Sequence, residues 1–415
     1  MSVFEGDEQA WSTADAVARR SYGKLVAFLA VRTHDVAAAE DVLSEAFASA
    51  LTDWPRNGCP ANPEAWLLTV ARRKMIDMFR GTRRHELASA ELQLMDEALA
   101  APAAAEFPDE RLAMMLACAH PAIDSGVHAP LMLQAVLGLD AKRIASAFLT
   151  SPAAMSKRLV RAKDKIRQAG IPIRVPGRDE IPARIESVLD AIYAAFSEGW
   201  SDPGGADMAR RDLTEESLFL ARLVVDLLPG EPEVLGLSAL MLYAESRRRA
   251  RRNSKGEFVP LAEQNPALWD PEKIADAEKL LRRAGAHGSL GRFQLEAALQ
   301  SAHIHRCSTG EANWDQVVAL YDALLSITGS PVVLINRAVA IAESRGPRSA
   351  LDALPDLAAD SRLAEYQHYW AARAELLSRT NRYSEARQAY EIAIGLERDP
   401  AVRQFLEQRR TAVPT

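Results

Sequence analysis

Apolar residues recur every three or four positions along most of this 415-residue chain, while the alternating β-branched runs that mark strands are scarce. That pattern predicts an all-α protein. It is interrupted in the Ala/Pro-rich stretch Ala100 to Glu110 and around Gly170 to Pro182, where proline and glycine stop helices. Three blocks follow, about 10–90, 108–172 and 180–415. In the first, Asp35 is placed to cap a helix whose apolar side is Ala39, Val42, Ala46 and Ala50, widened by Leu43, Phe47 and Leu51. Its other face shows Glu40, Asp41, Ser44 and Glu45. A second helix starts at Asn62 and Pro63, buries Leu67, Ala71, Met75 and Met78, and turns Arg73, Asp77, Arg80 and Arg84 to one side.

The second block holds the most informative segment, Asp140 to Gln168, two short amphipathic helices joined by a tight turn with the second densely basic. Ser151 is positioned to accept from the first free amides of the second helix, and Pro152 suits the first helical position because it has no N–H to leave unpaired. Met155, Leu159, Ala162 and Ile166 then recur at helical spacing and are expected to pack against Ile144, Ala145 and Phe148. The outward face is Ser156, Lys157, Val160 and Arg161. This is the outline of a DNA-reading helix-turn-helix, in which Lys157 and Arg161, one turn apart, reach a major-groove edge or a phosphate while Lys163, Lys165 and Arg167 add attraction to the backbone. A solvated basic helix carries the same pattern, so the motif alone does not decide.

The last block repeats a helix-pair theme at about the period of a tetratricopeptide array. In Gln367 to Pro400, Trp370, Ala374, Leu377, Tyr383, Ala386, Tyr390 and Ala393 fall at packing positions; Trp314, Val317, Tyr321, Leu324 and Pro331 mark an earlier unit. Such arrays bind partners on a concave face.

Charge changes the picture only when divided along the chain. Residues 1–178 carry 22 Lys and Arg against 21 Asp and Glu, leaving 28 against 35 for the remainder, so the overall −6 belongs to the C-terminal block. Within the first part, positive charge concentrates in Arg72 to Arg84 and Lys142 to Arg167. Cys59, Cys118 and Cys307 are widely spaced without a CxxC pair, which favours a reducing cytoplasm over a disulfide framework. No run approaches the ~18 apolar residues of a membrane span, and the N-terminal stretch has no apolar core. The expectation is a soluble cytoplasmic protein with no membrane contact. No catalytic constellation and no cofactor motif is present. HIHRC, His303 to Cys307, spreads three ligand types around a helix without a second cluster to complete a metal site. The run RRRARR, Arg247 to Arg252, fits an acidic partner, nucleic acid or a solvated helix end.

With these residues placed, the order of modules resembles a bacterial RNA polymerase sigma factor of the extracytoplasmic-function type, in the subgroup with a C-terminal tetratricopeptide-like extension. The resemblance rests on AAAEDVLSEAFASALTDWP, NPEAWLLTVARRKMIDMFR, DERLAMMLACAHPA, IASAFLTSPAAMSKRLVRAKDKIRQAGIPIRVP, RIESVLDAIYAAFSEGW, LLPGEPEVLGLSALMLYAESRRRAR and SPVVLINRAVAIAESRGP. It implies an all-α fold of sigma region 2 (10–90), a helix-turn-helix region 4 (108–172) and a helical regulatory extension (180–415). It implies core RNA polymerase as partner, with Asp41 and Glu45 docking on the β′ clamp helices and region 4 meeting the β flap. It also implies promoter DNA, with Asn62, Trp66, Arg72, Arg73, Lys74, Arg80 and Arg83 at the downstream element, where strand opening exposes a base. Unstacking that base calls for nearby positive charge and a polar or aromatic group to receive it. At the upstream element the resemblance puts Ser156, Lys157, Val160 and Arg161 on the bases and Arg158 nearer the phosphates. Many relatives carry Asn where this chain has Arg73, and several carry Arg where it has Ser156. His85 to Pro108 matches the linker between the two regions. Through its repeats the extension is expected to contact a protein partner or the chain's own DNA-binding blocks. The rivals are a helix-turn-helix regulator that senses a ligand or protein without joining polymerase, and a tetratricopeptide scaffold with an incidental basic helix.

Overall fold

The computed structural model describes residues 3–82, 109–148, 150–177, 179–200, 208–311, 313–356 and 361–414. Among them the regular structure is helical, and the only extended pairing is an isolated bridge between Arg252 and Phe258. The chain divides into two compact units, Met1–Asp202 with Ala206–Leu223, and Pro203–Gly205 with Val224–Thr415.

The first unit opens with α1 (Val3–Thr33), α2 (Val36–Asn57) and α3 (Pro63–Thr82), which pack on one another. His34, at φ 55, ends α1 in the left-handed region, and Asp35 at once starts α2 by accepting from the Ala38 amide at 3.0 Å. Leu25, Leu29, Leu43, Trp54, Leu67 and Met75 fill the space between these helices. Then come α4 (Arg111–Cys118), α5 (Ser125–Ala135), α6 (Ala141–Ala147) and α7 (Pro152–Gln168). Val127, His128, Pro130, Leu131, Met132 and Leu133 of α5 are all buried, as a helix apolar on every side must be. α4, α6, α7 and α8 (Pro182–Trp200) surround it.

The break at 172–180 is not the edge of this unit, which runs on through α8 and into α9 (Met208–Leu227) as far as Leu223. Buried polar contacts explain why. Arg184 of α8 donates to the Leu116 carbonyl at 3.1 Å, satisfying one of the last acceptors of α4, and also pairs with Glu180. His128 of α5 donates from Nε2 to the Ile123 carbonyl at 3.0 Å, so its Nδ1 accepts from Ser187 of α8 at 3.1 Å. Arg111 is buried between Asp109 and Glu216 of α9. Burial works to raise the Asp109 pKa, but the hydrogen bonds and charge of Arg111 outweigh it and hold the carboxyl below its ordinary value.

The second unit holds α10 (Pro232–Ser246), α11 (Pro271–Gly285), α12 (Arg292–Thr309), α13 (Trp314–Thr328), α14 (Pro331–Arg345), α15 (Pro347–Ala353), α16 (Gln367–Arg379), α17 (Tyr383–Leu396) and α18 (Pro400–Ala412), packed largely against their chain neighbours. Gly236 lets α10 approach α12 so closely that a Cβ there would lie 2.6 Å from the Gln294 amide nitrogen. Glu233 reaches across and accepts from the Phe293 and Gln294 amides at 2.9 and 3.1 Å, capping α12. In α16 and α17, Ala374, Leu377, Ala386, Tyr390 and Ala393 are buried, while Trp370 and Tyr383 are half-buried against them.

Two expected core positions are corrected: Met78, in the last turns of α3, and Phe148, one residue past α6, are each 37% exposed. All three cysteines are free. Among the described residues no helix is long and apolar enough to cross a membrane.

Candidate nucleic-acid interface

α7 forms where its sequence says it should. Ser151 Oγ accepts from the Ala154 amide at 3.2 Å, and Pro152 is the first helical residue. Met155, Leu159, Ala162 and Ile166 are its buried stripe, and Ser156, Lys157, Val160 and Arg161 are all exposed. Val160 is 57% exposed in the middle of this basic face. A cleft of about 360 Å³ runs beside it, lined by Asp124, Val127, Arg158, Arg161 and Lys165 among others.

Three basic residues of α7 are already engaged. Arg158, expected nearer the phosphates, donates to the Gly126 carbonyl at 2.9 Å. The cause lies in α5: Pro130 stands four residues after Gly126 and has no N–H, so that carbonyl has no helical donor and the guanidinium takes its place. A proline inside a helix was the signal that could have located this contact. Lys163, expected to add attraction to the DNA backbone, instead turns inward to an ion pair with Glu40 of α2, their side chains only 10% and 15% exposed. Burial raises the Glu40 pKa even against the lowering effect of Lys163. Arg167 bonds Asp164 at 2.8 Å and approaches Asp35 at 3.8 Å. Only a partner across 123 positions distinguishes Lys163 from its exposed neighbours, and periodicity carries no such information.

The second basic face lies on α3. Asn62 is exposed, and its Oδ1 caps the helix by accepting from the Ala65 amide at 3.0 Å. Trp66 is half-buried, its ring edge-on to Trp54 with centroids 5.5 Å apart. Arg73 is exposed and Arg72 half-buried. Lys74 bonds Glu45 of α2 at 2.9 Å, which joins a candidate DNA contact to a candidate polymerase contact in one solvent-facing pair. Asp41 is exposed beside it on α2. Arg80 lies within α3, its side chain outside the described residues, as are Arg83 and the whole of the expected linker His85 to Pro108. The structure thus brings Asp41, Glu45, Arg72, Arg73 and Lys74 onto the adjacent helices α2 and α3, with the α7 face carried by the same unit.

Among the described residues no group of His, Cys, Asp and Glu is arranged to hold a metal. His305 of the HIHRC segment meets Glu311 at 3.3 Å.

A family model described as Sigma-70 region 2 matches residues 17–85, which take in the second half of α1 and all of α2 and α3. A second, described as a family of unknown function (DUF6596), matches residues 184–285 and so begins at the arginine that caps α4. The chain is 36% identical over 364 residues to the uncharacterized protein R00370 of Rhizobium meliloti (strain 1021), with 86% of each chain covered. No solved structure matches it. The Sigma-70 region 2 match supports a sigma-70 family member, and the relative, itself uncharacterized, shares most of its length with this chain.

Proposed function

We propose that the chain is a sigma factor of the extracytoplasmic-function type, acting by binding rather than catalysis, and that its C-terminal helix pairs form a tetratricopeptide-like extension that modulates its activity. Sigma-70 region 2 implies core RNA polymerase and promoter DNA as partners. In this reading Asp41 and Glu45 engage polymerase, which requires Glu45 to leave Lys74. Lys74 is then released to join Arg72 and Arg73 at the downstream promoter element. That exchange costs little, because a solvent-facing pair contributes about 0–1 kcal/mol.

The observation that carries the reading is the α7 face, in the same unit as the Sigma-70 region 2 match. Four side chains at base-facing positions are exposed, with the apolar Val160 set between Lys157 and Arg161. Lys and Arg suit the acceptors of guanine, and an exposed aliphatic suits a thymine methyl. Trp66 contributes as a wall held by Trp54, against which an unstacked base can lie. A band-shift series with duplexes varied at the upstream element tests this face. Arg161→Ala is expected to relax specificity at one base pair by about 1–3 kcal/mol. Uniform weakening across all duplexes would reduce Arg161 to a phosphate contact.

A further inference from the structure

The second unit contains a group of cationic and hydrogen-bonding side chains with which, among the described residues, no carboxylate pairs. Arg247, at the C-terminal cap of α10, is only 6% exposed, yet its hydrogen bonds go to two neutral oxygens, the Tyr243 carbonyl at 3.4 Å and Gln300 Oε1 on α12. His303 and Arg306 follow on α12, three and six positions after Gln300. The Arg306 guanidinium carbon lies 3.9 Å over the Trp314 ring, and His303 meets the same ring edge-on with centroids 6.2 Å apart. Among the described residues the Nη1 of Arg306 and the Nδ1 of His303 are buried without a hydrogen-bond partner.

The neighbouring acids are committed elsewhere. Glu278 accepts from Tyr243 Oη at 2.6 Å and from Ser301, Glu296 pairs with Arg292, Glu245 with Arg248, and Glu311 with His305. Among the described residues none of them pairs with Arg247 or Arg306. The titration of the group reflects this excess of positive charge. Burial, then Arg306 and Arg247, push the His303 pKa down to about 4, and burial pushes that of Arg247 down to about 10. Buried guanidinium groups ordinarily have a carboxylate or a phosphate opposite them, and buried donors are ordinarily satisfied.

We propose that Arg247, Gln300, His303 and Arg306 form a site for a small oxyanion, the phosphate or carboxylate group of a diffusible ligand, with Trp314 holding the Arg306 guanidinium flat beneath it. The fork of Arg306 supplies two parallel donors, and a neutral His303 adds a third from Nδ1. The site stands apart from promoter reading, since binding is measured on the purified full chain without polymerase or DNA.

The test is thermal unfolding and equilibrium dialysis with inorganic phosphate, and separately with citrate, against sodium chloride of matched ionic strength. Binding only to the folded state raises the midpoint progressively with ligand concentration. The expected result is a rise with phosphate, citrate or both that chloride does not reproduce, with about one oxyanion retained per chain. Phosphate alone would mark a phosphate ligand, and citrate alone a carboxylate. Arg306→Met is expected to lose the shift, Arg306→Lys to weaken it at least tenfold in apparent affinity, and Arg348→Met, at an exposed arginine of α15, to keep it. Midpoints equal to those in chloride for both anions would overturn the proposal. So would an undiminished shift in folded Arg306→Met and Arg306→Lys.

Discussion

Lys163→Met isolates the ion pair that joins α2 to α7. The substitution keeps an aliphatic stem of similar length and removes only the ammonium, leaving Glu40 about as buried as before and without its cation. With the side chains 10% and 15% exposed, little solvent screening applies. Breaking a buried pair from one side costs about 3–5 kcal/mol. Glu40 is also short of partners already, since its Oε1 is buried with no hydrogen bond among the described residues. The cost should depend on pH in a stated direction. The folded state holds the Glu40 proton more tightly than the unfolded state, whose carboxyl has its ordinary pKa of 4.5. Stability from this group therefore increases as pH falls through the raised pKa and decreases as pH rises through it. Without Lys163 the pKa rises further, so the deficit of the variant should be largest at neutral pH and shrink on acidification toward 4.5. Urea unfolding between roughly pH 5 and 8 measures the deficit. Hydrogen exchange at α2 and α7 assigns it to this unit. Glu40→Leu combined with Lys163→Met should recover most of the loss, because two apolar groups replace two charges. A deficit below about 1 kcal/mol, or one independent of pH, would show that the pair is solvated and that the reasoning fails.

Three other outcomes follow from the same contacts. Arg158→Met should cost about 1–3 kcal/mol of stability, because the Gly126 carbonyl loses its donor, while the salt dependence of DNA binding stays within one phosphate of the parent. Asp41→Lys with Glu45→Lys should weaken core polymerase binding at least tenfold in a pull-down titration, whereas Lys74→Ala, which releases Glu45, should leave it intact or improved. Arg184→Met should destabilise the first unit by about 2–3 kcal/mol, read by increased hydrogen exchange in α4, even though residue 184 lies in the segment matched by DUF6596.

What the chain spells out locally was legible. Asp35 and Ser151 cap the helices they were expected to cap, the helix expected to start at Asn62 does so with Asn62 as its cap, and the buried and exposed faces of α7 fall on the expected residues. These features depend on residues within one or two turns, which a linear pattern records. The engagement of Lys163 with Glu40, Lys74 with Glu45 and Arg158 with Gly126 depends on which helices become neighbours, and helical periodicity gives a face without naming what it meets. The extent of the first unit was hidden for the same reason. Prolines and glycine at 170–182 mark a real interruption of helix, but Arg184, Ser187 and Glu216 tie the following helices back to α4 and α5. The unbalanced group around Arg247 is likewise tertiary, since its members become neighbours only when α10 and α12 close on Gly236.

The central claim is that this chain joins core polymerase and selects promoters, and reconstitution tests it most directly. Purified chain mixed with core RNA polymerase should co-elute as a holoenzyme, and that holoenzyme should start transcripts from promoters bound by the chain in the genome, with the start sites lost in Lys157→Ala with Arg161→Ala. Binding to DNA without association with core, or core-independent occupancy unaffected by that double substitution, would contradict it.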